Sequence, residues 1–262
     1  MKSKLLLIVS CVLMLIISGC AWQEKNIKSK GMFHEFHGIY TMVEPTDLKL
    51  YRALLPAPLE MPDQPVISIF VVDYIDVSPW PMTRYQEGAL FLRSKYKGQE
   101  GWYCKTMPVT KWFPNQGGRA LGFPKYVADS ITLTPESSGW KGEVKDNGQR
   151  KLSLEFSSGL TRTLTPKEEM AMKAGLGKTL AEPVFLFVPP DKGPALQKVD
   201  IVNVFPPSWT TEPGMVRITI GAEEPWAGLV VSGVVSPGIF AKFRGATYLK
   251  PTKLNSGTKD QP

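Results

Sequence analysis

The chain has 262 residues, of which 43% are apolar, so it is long enough to bury the core of one large domain or two small ones. Its 23 glycines and 23 prolines favour many short strands joined by turns over long helices. The formal net charge is +7, but the positive residues are spread along the chain and form no basic run, so the sequence gives no support for nucleic-acid binding.

The first 20 residues have the pattern of an export signal. Lys2 and Lys4 supply a positive start, and the apolar run Leu5–Ile17 is too short to span a bilayer comfortably. The run ends in Ile17-Ser18-Gly19-Cys20, which resembles the lipobox of bacterial lipoproteins. In that family the leader is removed just before the lipidated cysteine. The resemblance therefore implies a signal peptide over residues 1–19 and membrane anchoring through Cys20. A simple secretory signal and an uncleaved anchor are the alternatives.

The residues after the lipobox fit a tethered, exported domain. Residues 20–31 are polar and rich in lysine, which is typical of a tether. The residue directly after the lipobox cysteine is Ala21 rather than an aspartate. By resemblance to lipoprotein sorting this implies the outer membrane, facing the periplasm. Once the leader is removed, Cys104 is the one thiol left beside Cys20, so no intramolecular disulfide is predicted. A buried, inert thiol is favoured over a nucleophile at Cys104.

The next part of the sequence alternates short apolar runs with turn residues. Thr46 is typical of an N-cap, and Leu48, Tyr51 and Leu55 then share one helical face until Pro56 ends the helix. One helical turn is predicted around Gly117–Leu121. Strands are predicted over Val66–Ile75, Glu87–Tyr96, Gly101–Thr110, Val127–Thr134, Trp140–Lys145, Lys151–Phe156, Val184–Val188, Val199–Phe205, Met215–Ile220 and Leu229–Val235.

Turn and cap signals complete the predicted architecture. Lys97-Gly98 and Asp146-Asn147-Gly148 are hairpin signals, and Thr165-Pro166-Lys167-Glu168 is a capping box that opens a short helix ending near Gly175. No repeat or domain linker interrupts the pattern. We therefore predict a single mainly β (α+β) domain over residues 32–250, antiparallel and barrel-like, with two or three short helices. The polar tail over 251–262 is predicted to be disordered.

Two motifs imitate functional sites. Gly175-Leu176-Gly177-Lys178-Thr179 looks like the end of a phosphate-binding loop, but a predicted helix precedes it, so a helix C-cap explains the glycines better. His34 and His37 could supply two metal ligands, but no third ligand is indicated, so a surface or packing role is favoured and no metal is predicted. The spacing of the residues supports no Ser/His/Asp set.

The residues from Tyr85 to Leu133 carry the strongest indication of chemistry. Lys125 lies between Gly122-Phe123-Pro124 and Tyr126-Val127. Burial of an amine in such apolar surroundings disfavours its charged form, and a neutral amine is a nucleophile towards ketones and aldehydes. Glu87 opens a strand that is otherwise mostly apolar, so its carboxyl group can point into the same cavity. The alternative is a lysine that lies along the surface with its ammonium group in water.

These motifs resemble the acetoacetate decarboxylase family. The similarity is carried by Tyr85-Gln86-Glu87, by Gly118-Arg119 followed by Pro124-Lys125, and more weakly by Pro56-Ala57-Pro58-Leu59-Glu60. The resemblance implies that Lys125 forms a Schiff base, that Glu87 shapes the site or moves protons, and that Tyr85 hydrogen-bonds a developing alkoxide. We assign candidate substrate-binding roles to Arg119, Phe123, Tyr126 and Phe70. No cofactor is implied.

The sequence departs from the decarboxylases at three points. Tyr126 stands where they carry a second lysine, Phe70 where they carry an acidic residue, and the region around Phe36 and His37 lacks their arginine. Some relatives without these groups are aldolase–dehydratases. We predict a decarboxylase-like lyase acting on a small keto acid, with two alternatives: an aldolase–dehydratase on the same lysine, and a non-catalytic barrel that binds an apolar or keto ligand. Because relatives assemble as oligomers, a homo-oligomer is a further expectation.

Overall fold

The computed structural model describes residues 27–28, 30–79, 81–158, 182–190 and 195–254. Within these ranges the chain forms two α-helices, α1 (Leu48–Leu54) and α2 (Trp112–Ala120), and a short 3-10 helix over Ala227–Leu229. The eleven strands are β1 (Phe33–Val43), β2 (Ile67–Val77), β3 (Tyr85–Tyr96), β4 (Gln99–Val109), β5 (Lys125–Val127), β6 (Ser130–Glu136), β7 (Gly139–Asp146), β8 (Gln149–Ser157), β9 (Val184–Val188), β10 (Ala195–Ile220) and β11 (Val234–Lys253).

All strands belong to one sheet that partly closes on itself. The order β11-β1-β2-β3-β4-β9-β10 returns to its start because β10 also pairs with β11. Beyond Met215, β10 continues beside β8, which carries β7 and β6. The pairs β4–β5 and β4–β9 are parallel, whereas the other pairs are antiparallel. The prediction of a mainly β, barrel-like domain with two or three short helices is confirmed, and the predicted antiparallel pairing holds for all strand pairs except these two.

The two faces of the sheet pack into different cores, because successive side chains along a strand point to opposite sides. The larger core takes Ile39, Val71 and Leu90 from the central strands and covers them with α1 and the β6–β8 strands. The opposite face of the same strands presents Ala89 and Phe91. This second face also carries the candidate catalytic residues that the sequence predicts.

Helix α1 begins one residue later than its sequence indicates. Asp47 is the N-cap, and its carboxylate accepts hydrogen bonds from the backbone N–H groups of Lys49 and Leu50, so the prediction of Thr46 is wrong by one residue. Tyr51 and Leu55 are both buried, whereas Leu48 is 54% exposed and does not share their buried face. The Tyr51 hydroxyl donates to backbone carbonyls of the sheet, which fixes the helix against it.

Several predicted boundaries differ from the structure. Helix α2 is longer than the single turn predicted, Val127–Thr134 is divided between β5 and β6, and β1 was missed. Two predicted strands, Val199–Phe205 and Met215–Ile220, are parts of the continuous β10, which shifts register near Pro206-Pro207 and tolerates these prolines there. The predicted strand Leu229–Val235 is wrong, because the 3-10 helix and a turn with Gly233 at φ +85° occupy it and β11 starts at Val234.

Both hairpin signals are confirmed. Lys97 and Gly98 have φ of 49° and 78°, and Asn147 and Gly148 have φ of 52° and 69°. Positive φ at two successive residues gives the tight turn that matches the twist of the flanking strands. The predicted leader and lipobox, the capping box at Thr165, the glycines near Gly175 and residues 255–262 of the tail lie outside the described residues. The prediction that the disordered tail begins at 251 is wrong, because Pro251–Lys253 pair with β10 as the end of β11. Within the described ranges, no helix is both long and apolar enough to cross a membrane.

Candidate active site

Lys125 and Glu87 meet on the second face of the sheet. Glu87 lies on β3 opposite Val109 of β4, and Met107 of β4 pairs with Lys125 of β5. Strand β4 therefore lies between the strands that carry the two residues. Lys125 Nζ donates a hydrogen bond to Glu87 Oε2 and forms an ion pair with it. Lys125 is 7% exposed and Glu87 is 3% exposed, so a basic and an acidic group face each other away from bulk water.

The backbone before Lys125 leaves room for its side chain. A Cβ atom on Gly118 of α2 would lie 2.3 Å from Lys125 Cδ and 2.4 Å from Cε, so the stem of the lysine passes over the bare backbone of the helix. Gly122 has φ +83°, which favours glycine, and a Cβ there would lie 2.5 Å from the carbonyl oxygen of Phe187. The two glycines let the chain turn from α2 into β5 while the amine points at Glu87.

Aromatic side chains surround the pair. Lys125 Nζ lies 5.6 Å from the centre of the Tyr85 ring and 5.9 Å from that of Phe123. The Tyr85 ring stacks on Tyr74 with 4.7 Å between the ring centres. The Tyr74 hydroxyl donates to Glu87 Oε1 at 3.5 Å, a long hydrogen bond. Glu87 thus has Lys125 at one carboxylate oxygen and Tyr74 at the other.

The tyrosine hydroxyls of the site are held in their protonated form. Burial raises the pKa of Tyr85 and of Tyr74 well above 10, and the nearby Glu87 carboxylate raises both further. The same two causes, burial first, raise the pKa of Tyr40 on β1. These groups can therefore donate hydrogen bonds at neutral pH but do not act as anions.

Comparison with known proteins identifies the family of the chain. The sequence profile described as acetoacetate decarboxylase (ADC) matches residues 30–242, a range that contains Glu87 and Lys125. The chain belongs to the acetoacetate decarboxylase family. Acetoacetate decarboxylase 3 of Mesorhizobium japonicum is 35% identical over 85 residues, which is 32% of this chain and 32% of that protein. The match to this curated relative thus spans about a third of its length.

Solved structures show the same fold as this member of the acetoacetate decarboxylase family. The crystal structure of acetoacetate decarboxylase from Legionella pneumophila has a TM-score of 0.63 at 22% identity, with 85% of this chain and 86% of that one covered. The enduracididine biosynthesis enzyme MppR complexed with pyruvate has a TM-score of 0.57 at 16% identity, with 82% and 89% covered. At these identities the likeness concerns the fold alone.

The candidate substrate-binding residues of this family member have different positions. Phe123 lies beside the amine, and Phe70 lies on the face of the sheet that carries Glu87. Arg119 is exposed, and its Nη1 donates to the backbone carbonyl of Lys125 at 3.0 Å, so it holds β5 in place. Tyr126 is the next residue of β5 and packs into the larger core, where burial, followed by Glu224 and Asp146, raises its pKa to about 12. The structure does not bring Tyr126 to the amine.

Sequence reasoning missed Tyr74 and Tyr40. The missed signal was alternation: Phe70, Val72 and Tyr74 occupy every second position of β2 and therefore share a face. The register places Val72 opposite Glu87 and Tyr74 opposite Tyr85. Treating Val66–Ile75 as one uniform apolar run hid this ordered face.

The other candidate groups have separate environments. His34 Nε2 hydrogen-bonds the Ser78 hydroxyl at 2.8 Å, and His37 Nε2 lies 3.9 Å from Asp73 Oδ2. Burial lowers the pKa of His37, although Asp73 opposes this effect. No cluster of three or more metal-ligating side chains occurs within the described ranges. Cys104 is buried, and its thiol contacts the carbonyl oxygen of Thr106 at 3.7 Å.

Proposed function

We propose that the chain is a carbon–carbon lyase that works through a Schiff base at Lys125. The observation that carries the proposal is the buried contact of Lys125 Nζ with the Glu87 carboxylate. A surface lysine would keep its ammonium group in water, whereas this amine lies among aromatic rings with an acid at hydrogen-bonding distance. Membership of the acetoacetate decarboxylase family supports the same chemistry.

The pair can supply a nucleophile without a change in its total charge. Glu87 lies at hydrogen-bonding distance from the amine, so transfer of a proton from Lys125 Nζ to the Glu87 carboxylate leaves a neutral amine and a neutral acid. The neutral amine of Lys125 adds to a carbonyl carbon of the substrate, and loss of water gives an iminium ion. Glu87 then serves as the general acid and base that moves protons during these steps. The protonated hydroxyl of Tyr85 is available to donate to the substrate oxygen.

The iminium ion allows two related reactions. It accepts the electron pair of a bond to the neighbouring carbon, so either CO₂ or an aldehyde can leave and an enamine remains. Decarboxylation of a small keto acid is the first candidate, because the matching profile and the Mesorhizobium japonicum relative are named for it. Aldol chemistry is the second, because MppR has been solved with the condensation product of pyruvate and imidazole 4-carboxaldehyde. Water hydrolyses the final iminium in both cases. Binding of an apolar or keto ligand without turnover is the non-catalytic alternative.

Reductive trapping tests the Schiff base. We expect borohydride to add one reduced ligand per chain when the protein is incubated with a panel of pyruvate, acetoacetate and neutral ketones or aldehydes. The intact mass should show this adduct, and Lys125→Ala should remove it. Lys151→Ala is the matched control, because Lys151 also pairs with a glutamate, Glu224, at 3.2 Å but lies outside the site. An adduct that persists in Lys125→Ala, or no adduct with any carbonyl compound, would refute the proposal.

We also propose that the chain is a lipoprotein anchored through Cys20, with its domain facing the periplasm. The support is the order of positive start, apolar run and lipobox in the sequence. Cells grown with an alkyne-tagged fatty acid should label the wild type and Cys11→Ser, whose changed thiol lies inside the leader, but not Cys20→Ser. The Cys20→Ser chain should also leave the membrane fraction. Label that survives in Cys20→Ser would exclude this anchor.

A further inference from the structure

The side chains next to the Lys125–Glu87 pair form an ordered aromatic surface. Residues directly opposite each other in a sheet share a face. The register pairs Tyr40 with Phe70, Phe70 with Ala89, and Tyr74 with Tyr85. It also pairs Phe36 of β1 with Tyr74. We call Phe36, Tyr40, Phe70 and Tyr74 the aromatic wall.

The aromatic wall is in ring-to-ring contact and is more open than the pair beside it. The ring centres of Phe36 and Tyr74 are 5.2 Å apart, and those of Tyr40 and Phe70 are 5.5 Å apart. All four side chains are half-buried, whereas Glu87 and Lys125 are buried. A ligand whose carbonyl group reaches the amine would therefore lay its remaining atoms against these rings.

The charge of the site argues against an anionic substrate. The positions flanking Glu87 on this face are neutral: Tyr85 and Ala89 on β3, Val72 on β2 and Val109 on β4. The pair itself has no net charge, so a substrate carboxylate would leave one uncompensated negative charge near Glu87 in a poorly hydrated place.

Arg119 and Arg84 are close in the chain to Lys125 and Tyr85, but neither supplies a compensating cation. Arg119 is engaged by the backbone carbonyl of Lys125, and Arg84 makes two hydrogen bonds to Asp73, at 3.2 and 2.6 Å. Asp73 alternates with Val72 along β2 and so belongs to the other face of the sheet. The negative field of Glu87 also reaches the wall, since that carboxylate raises the pKa of Tyr40.

We infer that the substrate of Lys125 is an uncharged carbonyl compound with an aromatic or similarly flat apolar group, which packs on the aromatic wall. The inference rests on the proposed Schiff-base function and deepens it. For this chain it favours the second candidate reaction, aldol cleavage or its reverse, over the decarboxylation for which the family is named. Flat apolar groups gain dispersion and stacking contacts on such rings, and a neutral molecule leaves the charge balance of the pair intact.

Cleavage of the substrate needs no reactant other than water. Lys125 adds to the ketone of a β-hydroxy ketone and water leaves, which gives the iminium ion. Glu87 accepts the proton of the β-hydroxyl group, the bond between the α and β carbons breaks, and its electron pair forms the enamine while an aldehyde departs. The enamine takes up a proton at carbon. One water molecule then releases the ketone and restores the free amine.

Three probes distinguish the effect of an aromatic ring in the substrate from the effect of a carboxylate charge. The first is the aldol adduct of acetone and benzaldehyde, which has a ring and no charge. The second is the adduct of pyruvate and benzaldehyde, which adds a carboxylate, and the third is the aldol dimer of acetone, which lacks the ring. We expect kcat/KM for release of the carbonyl product to be about tenfold or more higher for the first probe than for either of the others.

Variants of the wall complete the test. Phe70→Leu should reduce the ratio of kcat/KM between the first and third probes, whereas Phe205→Leu, which changes a phenylalanine that is 57% exposed on β10, should leave it unchanged. A faster reaction with the pyruvate adduct, or an unchanged ratio in Phe70→Leu, would overturn the inference. Borohydride adducts at Lys125 with keto acids alone would also overturn it while leaving the proposed function in place. No adduct at Lys125 with any compound would remove both.

Discussion

Gly118→Ala is expected to slow the reaction at Lys125 about 100-fold or more, although the substitution adds a single methyl group. The new Cβ would lie 2.3 Å from Lys125 Cδ and 2.4 Å from Cε, far inside the 3.5–4.0 Å at which carbon atoms normally pack. The flexible stem of Lys125 is the part that would yield, so the amine would be displaced by about 1 Å, and a displacement of that size at a reacting group can cost about 100-fold in rate.

The neighbouring Gly117 provides the matched control. A Cβ on Gly117 meets nothing within 4 Å, so Gly117→Ala should keep the activity and raise the free energy of unfolding by about 0.4–1 kcal/mol through lower entropy of the unfolded chain. The rate of borohydride trapping and kcat with the reacting probe should be measured for both variants beside the wild type. Equal rates in Gly118→Ala and Gly117→Ala would contradict the requirement for space at position 118.

The role of Gly118 shows what the sequence leaves hidden. Lys125 and Glu87 were identifiable because each lies in a short motif, yet they are 38 positions apart, and their contact depends on β3, β4 and β5 lying side by side. Gly118 belongs to the motif that carries the family resemblance and was placed in a single helical turn, but the sequence assigned no role to it. Its contact with Lys125 follows from how α2 lies over β5, which no local pattern encodes. Arg119 was assigned to the substrate for the same reason, although it holds the backbone of β5.

The fold was predictable where a residue type has a specific backbone requirement. Asn147 and Gly148 gave the hairpin because both adopt positive φ there. The apolar pattern divided β10 into Val199–Phe205 and Met215–Ile220, but pairing with β11 and a local register shift keep the strand continuous. β1 was missed because its polar residues, such as His34 and Glu35, interrupt the apolar pattern, while its hydrogen bonds to β2 and β11 hold it in the sheet. Tertiary pairing thus outweighed local preference in both strands.

Lys125→Met is expected to lower the free energy of unfolding by about 3–5 kcal/mol, even though methionine resembles the lysine stem in size. The reason is that the variant leaves the Glu87 carboxylate, which is 3% exposed, without its cationic partner. Replacing both members of a buried ion pair by apolar side chains is often neutral or stabilising, so Lys125→Met/Glu87→Leu should regain most of the loss. Urea unfolding at pH 7 measures the single variants and the double variant.

Lys95→Met tests whether the loss in Lys125→Met depends on burial of the pair. Lys95 Nζ lies 2.7 Å from Asp63 Oδ1, but the Asp63 side chain is 88% exposed, so water replaces the lost partner and the change should stay below about 1 kcal/mol. The proposal would be contradicted if Lys125→Met lost no more free energy of unfolding than Lys95→Met, or if the double variant were less stable than Lys125→Met. Water would then reach the Glu87 carboxylate, and the low-dielectric pair on which the neutral nucleophile depends would not exist. The stability measurement therefore tests the physical basis of the proposed chemistry before any substrate is known.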